Sequence, residues 1–234
     1  MKPVHTVAVI GAMQPEIERL KGRLNGLQTH RFGAFEIHTG QLHGKQIVLT
    51  LSGIGKANAA AAAAAAILQF APDCIINTGS AGGLGSGLKV GDVVIGSETV
   101  HHDADATAFG YAPGQIPQLP PAFPADETLI AAAETAAAAF PHAAVTRGLI
   151  ASGDQFVHSE EAAAAIRATF PAVQAVEMEA AAIAQTCFQF GIPFVVIRAL
   201  SDTADEKADT SFEQFLQTAA AHSAEMVERI IAAL

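Results

Sequence analysis

Short apolar runs alternate with helix-forming stretches from one end of this 234-residue chain to the other. Residues 7–11, 74–78, 90–100, 145–151 and 194–200 read as strands, several of them too uniformly apolar to be half-exposed. Residues 35–42 and 46–51, joined at His43-Gly44, read as a hairpin. Between these lie helices predicted over residues 56–70, 128–140 and 178–190, and another running from a Ser159 cap to Phe170, with Glu160 and Glu161 suited to its dipole. A last helix is expected to open at a capping box of Ser211 and Gln214. No linker, repeat or shift of composition divides the series. The pattern predicts one α/β domain over residues 1–234, with helices on both faces of a mixed sheet.

Composition narrows the partners. Hydrophobic residues make up 50% and charged residues 15%, which suits a packed core rather than disorder. The formal net charge is -10 and no basic patch is visible, so neither nucleic acid nor an anionic membrane surface is an expected partner. Cys74 and Cys187 lie inside apolar segments and read as reduced core thiols of a cytoplasmic protein. The apolar run at residues 57–68 is too short to span a bilayer, and no targeting segment is expected.

Several motifs carry less than they suggest. The stretch Gly79-Ser80-Ala81-Gly82-Gly83-Leu84-Gly85-Ser86-Gly87 follows a strand but lacks the dinucleotide-binding spacing, and no helix is predicted to open behind it. Gly53-Ile54-Gly55-Lys56-Ala57 is not a phosphate-binding P-loop, because Thr50 stands where the first glycine belongs and Ala57 where a hydroxyl would hold magnesium. What remains is backbone able to approach something small, or a tight structural turn. His101-His102-Asp103-Ala104-Asp105 offers metal-ligand chemistry, but neighbours on a strand point to opposite faces, so hydrogen-bonded histidines at a strand end are the favoured reading. Residues 101–124, rich in Gly and Pro around Phe109 and Tyr111, form a long loop of the kind that is functional or mobile.

The carboxylates are the stronger signal. Glu16 follows the first strand and Pro15; Glu177 and Glu179 flank Met178 where an apolar run turns into a helix; Asp202 ends the 194–200 strand with Arg198 and Ser201. Each alone is an ordinary helix-start or turn residue. Together they lie at C-terminal strand edges, where α/β sheets bind ligands. Such acids handle sugar hydroxyls and move protons.

In this order the residues resemble the 5′-methylthioadenosine/S-adenosylhomocysteine nucleosidases of the nucleoside phosphorylase/hydrolase superfamily. The resemblance runs the whole length through Ile10-Gly11-Ala12-Met13 with Glu16, Ser52-Gly53-Ile54-Gly55-Lys56, Asn77-Thr78-Gly79-Ser80-Ala81-Gly82-Gly83, His102-Asp103-Ala104-Asp105, Thr107-Ala108-Phe109-Gly110-Tyr111, Ser152-Gly153-Asp154, Val176-Glu177-Met178-Glu179-Ala180 and Arg198-Ala199-Leu200-Ser201-Asp202. It implies a three-layer αβα sandwich around a central mixed, twisted sheet, a homodimer, no cofactor and no metal. It implies hydrolysis of the adenine–ribose bond of methylthioadenosine, S-adenosylhomocysteine and 5′-deoxyadenosine. Asp202 would protonate adenine N7. Ser201 and the Val157 backbone would hold the base, with Phe156 stacked on it. Glu179 would grip the ribose hydroxyls, with Met178 against the sugar. Glu16, assisted by Arg198, would position and deprotonate water. Ser80, Ala81 and Gly82 would line the floor, Phe212 would contact the sugar and its 5′ group, and Met13, Ile54 and Glu177 complete the substrate-binding set. Phe109 and Pro117 would close the neighbouring subunit's alkylthio pocket. The rivals are a hydrolase of aminodeoxyfutalosine, a phosphorolytic enzyme of the same fold, and a non-catalytic nucleoside binder. Glu16 would repel phosphate, which favours water.

Overall fold

A computed structural model of the chain describes residues 3–138, 140, 143–205 and 208–234. Ten strands and six helices follow in order: β1 (Thr6–Gly11), α1 (Gln14–Lys21), β2 (Asn25–Phe32), β3 (Phe35–Leu42), β4 (Lys45–Leu51), α2 (Lys56–Phe70), β5 (Cys74–Gly83), β6 (Val93–His101), β7 (Phe123–Pro124), α3 (Glu127–Ala138), β8 (Val145–Ser152), α4 (Glu160–Thr169), β9 (Val173–Glu177), α5 (Ala180–Phe190), β10 (Phe194–Asp202) and α6 (Ala208–Ala233). All ten strands belong to one mixed sheet.

The sheet has two parts. On one side β1 runs parallel to both β4 and β5, and β4, β3 and β2 continue as an antiparallel meander. On the other, β5 pairs with β10, β10 with β6, β6 with β8, β8 with β9, and β9 returns to β5 through Gly82↔Val176 and Gly83↔Ala175. These five strands close a circuit around β5. Helices α1, α3 and α6 pack together on one face, and α2 with α5 on the other, which makes three layers. The main core is filled by side chains such as Ile10, Ile75, Ile76, Val195 and Ile197, each fully buried. Burying one such aliphatic side chain stabilises by about 1.5–3 kcal/mol. A smaller core, with Leu149, Ile166, Val173 and Val176, lies under α4.

Most elements follow from local chemistry. Helix α2 is alanine-rich with strong helix propensity, and it ends where Ala71 turns left-handed. Ser159 caps α4, its hydroxyl accepting the Ala162 N–H. Four expectations change. The glycine stretch is not a turn after residue 78: β5 runs on through Gly83, because β10 and β9 pair with it there. α6 is described from Ala208, three residues before the expected Ser211 box. The hairpin gains a third strand, β2, whose largely exposed pattern carries no periodic signal. The 101–124 loop holds a 3₁₀ turn (Thr107–Phe109) and the short β7. The predicted helix over residues 128–140 is described to Ala138, and its position 139 lies outside the described residues. Among the described residues no helix is long and apolar enough to cross a membrane.

Candidate active site

The C-terminal ends of β1, β4, β5 and β10 meet at one edge of the sheet, where a cavity of about 230 Å³ opens. Glu16 enters it from the first turn of α1. One carboxylate oxygen, Oε2, accepts the N–H groups of Ala12 (2.8 Å) and Met13 (2.9 Å) and so caps its own helix. The other, Oε1, accepts the Ser80 N–H (3.0 Å) and hydroxyl (3.1 Å). The bland reading of Glu16 as a helix-start residue is thus true of one oxygen, while the other is tied to the cavity floor.

Asp202 approaches from β10. The β5–β10 register shifts between Leu200 and Asp202, a bulge of the kind that re-aims side chains near binding sites. Asp202 Oδ1 accepts the Ala204 N–H (2.8 Å), and the Ser201 hydroxyl donates to Oδ2 (2.9 Å). Burial pushes the carboxyl above the ordinary range, against the opposing pull of those two donors.

The glycines explain the spacing. A Cβ on Gly79 would stand 2.8 Å from Glu16 Oε1, and one on Gly82 would stand 2.8 Å from Asp202 Oδ1. The two carboxylates therefore lie against the same strand three residues apart, which at about 3.3 Å per residue is about 10 Å. The small thing that this backbone approaches includes the site's own acids.

Glu177 and Glu179 sit at the turn from β9 to α5. Glu177 accepts the N–H groups of Glu179 (3.0 Å) and Ala180 (2.9 Å) and the Ser152 hydroxyl, and it forms a buried ion pair with Arg198. Arg198 also donates to Asn77 Oδ1 (2.7 Å) and lies 3.8 Å from Glu179 Oε2. Among the described residues no ion pair joins it to Glu16: Arg198 is wholly buried and its Nη2 is committed to Glu177 and Asn77, while Nη1 and Glu16 Oε1 both lie against Gly79. Glu179 Oε1 accepts the Gly55 N–H (2.9 Å). Burial, reinforced by Glu177 and only partly offset by Arg198 and Gly55, pushes the Glu179 carboxyl up to about 7.

The cavity wall brings together Met13, Glu16, Ile54, Ser80, Ala81, Gly82, Phe156, Glu177, Met178, Glu179, Ser201, Asp202 and Phe212. Phe156 meets Phe212 edge to face, ring centres 5.8 Å apart, so loop and helix close one rim together. Val157 lies instead in an adjoining recess with Gly82, Phe156 and Asp202. Phe109 and Pro117 are outside the cavity; Phe109 is 83% exposed. Ala12 and Val176 line the wall without having been singled out, and Asn77 and Ser152 hold Arg198 and Glu177 from behind. The first two carry no chemical signal in sequence, and the second two act only through other side chains.

The histidine cluster disperses. His101 meets Gln185 on α5 (2.9 Å), Asp103 pairs with Lys56, and Asp105 accepts from Thr107. Among the described residues no three His, Cys, Asp or Glu side chains gather as metal ligands would. Burial pushes the thiols of Cys74 and Cys187 each up to about 12, so neither is a nucleophile at neutral pH.

The model of the phosphorylase superfamily matches residues 6–232. The 5′-methylthioadenosine/S-adenosylhomocysteine nucleosidase of Anoxybacillus flavithermus is 51% identical over 225 residues, 96% of this chain and 97% of that one. The chain belongs to the 5′-methylthioadenosine/S-adenosylhomocysteine nucleosidases. The nucleosidase of Neisseria meningitidis, solved with methylthio-immucillin-A, matches this structure with a TM-score of 0.98 and 63% identity over 99% of this chain and 100% of that one. That of Colwellia psychrerythraea, solved with adenine, gives a TM-score of 0.97 and 45% identity over 99% and 96%. The fold is accordingly the nucleoside phosphorylase fold, and the candidate cavity lies where its closed strand circuit meets the open half of the sheet.

Proposed function

We propose that this cavity hydrolyses the N-glycosidic bond of 5′-methylthioadenosine and S-adenosylhomocysteine, releasing adenine and the 5-substituted ribose. The observation that carries the reading is the pair of carboxylates set along β5: Glu16 against Gly79 and Asp202 against Gly82. Cleavage of a glycosidic bond through an oxocarbenium-like state needs an acid on the leaving group and a base on water, on opposite sides of the breaking bond.

Asp202, whose carboxyl burial pushes upward, donates its proton to N7 as the C1′–N9 bond breaks and the electron pair moves into the adenine ring. Ser201 and the Val157 backbone hold the base against Phe156. Glu16 takes a proton from the water that attacks C1′, with Ser80 fixing its Oε1. Glu179 accepts from the ribose hydroxyls, and Met178 and Phe212 pack on the sugar and the 5′ group. Arg198 acts by holding Glu177 and lying close to Glu179. The same contacts suit 5′-deoxyadenosine, and the products feed methionine salvage in the cytoplasm. Water rather than phosphate is the nucleophile: among the described residues no lysine or arginine side chain lines the cavity, and an anion would need such partners.

The working unit is a homodimer in which Phe109 and Pro117 cover the neighbour's 5′-thioether site. The exposure of Phe109 in the single chain supports this. The test is adenine release from methylthioadenosine, followed by chromatography with and without phosphate. Free methylthioribose in both conditions is expected; a sugar 1-phosphate formed only with phosphate would overturn the hydrolytic reading.

A further inference from the structure

Helix α2 begins without a side-chain cap of its own: Gly55 is its N-cap residue and its first turn holds no acid. Two carboxylates from distant parts of the chain serve instead. Glu179 Oε1 accepts the Gly55 N–H at 2.9 Å, and Asp154 Oδ1 accepts the next one, Lys56 N–H, at 2.7 Å. Asp154 is itself held, since its N–H donates to Asp103 Oδ2 (2.9 Å), and Asp103 Oδ1 receives the Lys56 ammonium (2.5 Å). Burial alone would raise the Asp103 carboxyl, but Lys56 and the Asp154 N–H overcome this and hold it below the usual range.

The backbone at Gly55 is built around this arrangement. Its φ is +98°, a region open to glycine, and a Cβ there would stand 3.1 Å from Asp154 Oδ1. Among the described residues the Glu179 carboxylate receives no other hydrogen bond; its second oxygen lies 3.8 Å from Arg198. The orientation of the Glu179 carboxylate thus depends on where the 53–56 turn delivers one N–H.

We infer that Asp154, an exposed residue outside the cavity wall, is the positioning residue for Glu179: by clamping the first turn of α2 it aims the Gly55 N–H at Oε1 and so fixes how the carboxylate is set in the cavity wall. Asp103 and Lys56 are the outer brace of the same clamp. That the ligand there is a ribose rests on the proposed function; the clamp itself does not.

The experiment compares Asp154→Ala with Asp154→Asn. The alanine removes the acceptor, and the asparagine keeps an acceptor oxygen while removing the charge. The first readout is the titration of the Glu179 side-chain carboxyl, followed by ¹³C NMR and assigned with Glu179→Gln. The charged groups facing Glu179 are Glu177 at the end of β9, Arg198 on β10 and Glu16 on α1. All three are untouched by the substitutions. Loss of the Gly55 bond removes a group that favours the ionised form, so the Glu179 titration moves to higher pH in Asp154→Ala and stays near the parent's in Asp154→Asn. Loss of the charge alone would move both variants equally and to lower pH. The second readout is adenine release from methylthioadenosine, where Asp154→Ala raises KM roughly ten-fold or more and Asp154→Asn restores most of it. A Glu179 titration unmoved in Asp154→Ala overturns the inference whatever the activity does. A parent protein that releases no adenine overturns the function instead, and the titration still decides the clamp.

Discussion

Gly79 and Arg198 are register partners across the β5–β10 pair, and the guanidinium occupies the space where a Gly79 side chain would lie. A β-carbon there would overlap Arg198 Nη1 and crowd Glu16 Oε1 at 2.8 Å. The surroundings are strand backbone and buried ion pairs, with little room to give. Gly79→Ala is expected to lower stability by about 1–3 kcal/mol and to reduce adenine release at least a hundred-fold. Gly87→Ala meets nothing within 4 Å and is the control: its φ of +80° costs about 1–2 kcal/mol, with activity retained. Urea unfolding and turnover on the two variants check this. Equal losses of activity would refute the steric account.

Glu16 and Asp202 are expected to separate in stability while agreeing in activity. Both Glu16→Gln and Asp202→Asn lose turnover by about 10²–10⁴-fold, the usual worth of a general base or acid. Glu16 accepts four hydrogen bonds, and an amide nitrogen cannot accept its share. Glu16→Gln therefore also loses about 1–3 kcal/mol of stability. Asparagine at 202 keeps an oxygen for Ala204 and a donor for Ser201, so the fold is retained. Full activity in Asp202→Asn would refute its role as acid.

The pH dependence follows from two raised carboxyls. Asp202 must carry its proton to act, so kcat/KM for the free enzyme falls on the alkaline side as that proton is lost, and burial extends the active range upward. Glu179 bears on stability. Burial pushes its carboxyl up to about 7 in the folded protein, against 4.5 for a solvated glutamate. Between those values the folded chain holds a proton that the unfolded chain has released. Stability therefore declines as pH rises through that window. Glu179→Gln removes the decline, and thermal unfolding of both proteins from pH 4 to 8 reads the difference. Parallel curves would refute the assignment.

Breaking the Arg198–Glu177 pair from one side strands a charge. Both side chains are almost completely buried. Arg198→Met is expected to cost about 3–5 kcal/mol, and the double variant with Glu177→Gln to recover part of it. Additive losses in the double variant would show that the pair is not coupled.

Phe109→Ala removes exposed apolar surface from the 101–124 loop. In the proposed dimer it raises KM for methylthioadenosine, which carries the thioether, more than KM for adenosine. Equal effects on the two nucleosides would take Phe109 out of the 5′ pocket.

Much of the site was legible because its chemistry is local. Glu16 after Pro15, Glu177-Met178-Glu179 at a strand-to-helix turn and Ser201-Asp202 at a strand end mark strand edges by composition alone, and an α/β sheet gathers such edges. Helix α2 was legible to the residue, because alanine propensity acts within a few positions. Strand β2 was not, since its mostly exposed side chains leave no period to read.

What the sequence by itself determined was the alternation of elements, the identity of the acids and the family. What only the tertiary structure decided was where those acids point. Arg198 stands in a strand whose residue-by-residue pattern cannot say which carboxylate it pairs with, and burial beside Asn77 and Glu177 decided for Glu177. Gly79 to Gly83 became strand rather than turn because β9 and β10 offered hydrogen-bond partners on both sides. The physical reason is the same in both cases: propensity and periodicity act over neighbouring residues, whereas these side-chain bonds and strand pairings join groups from 21 to 121 positions apart.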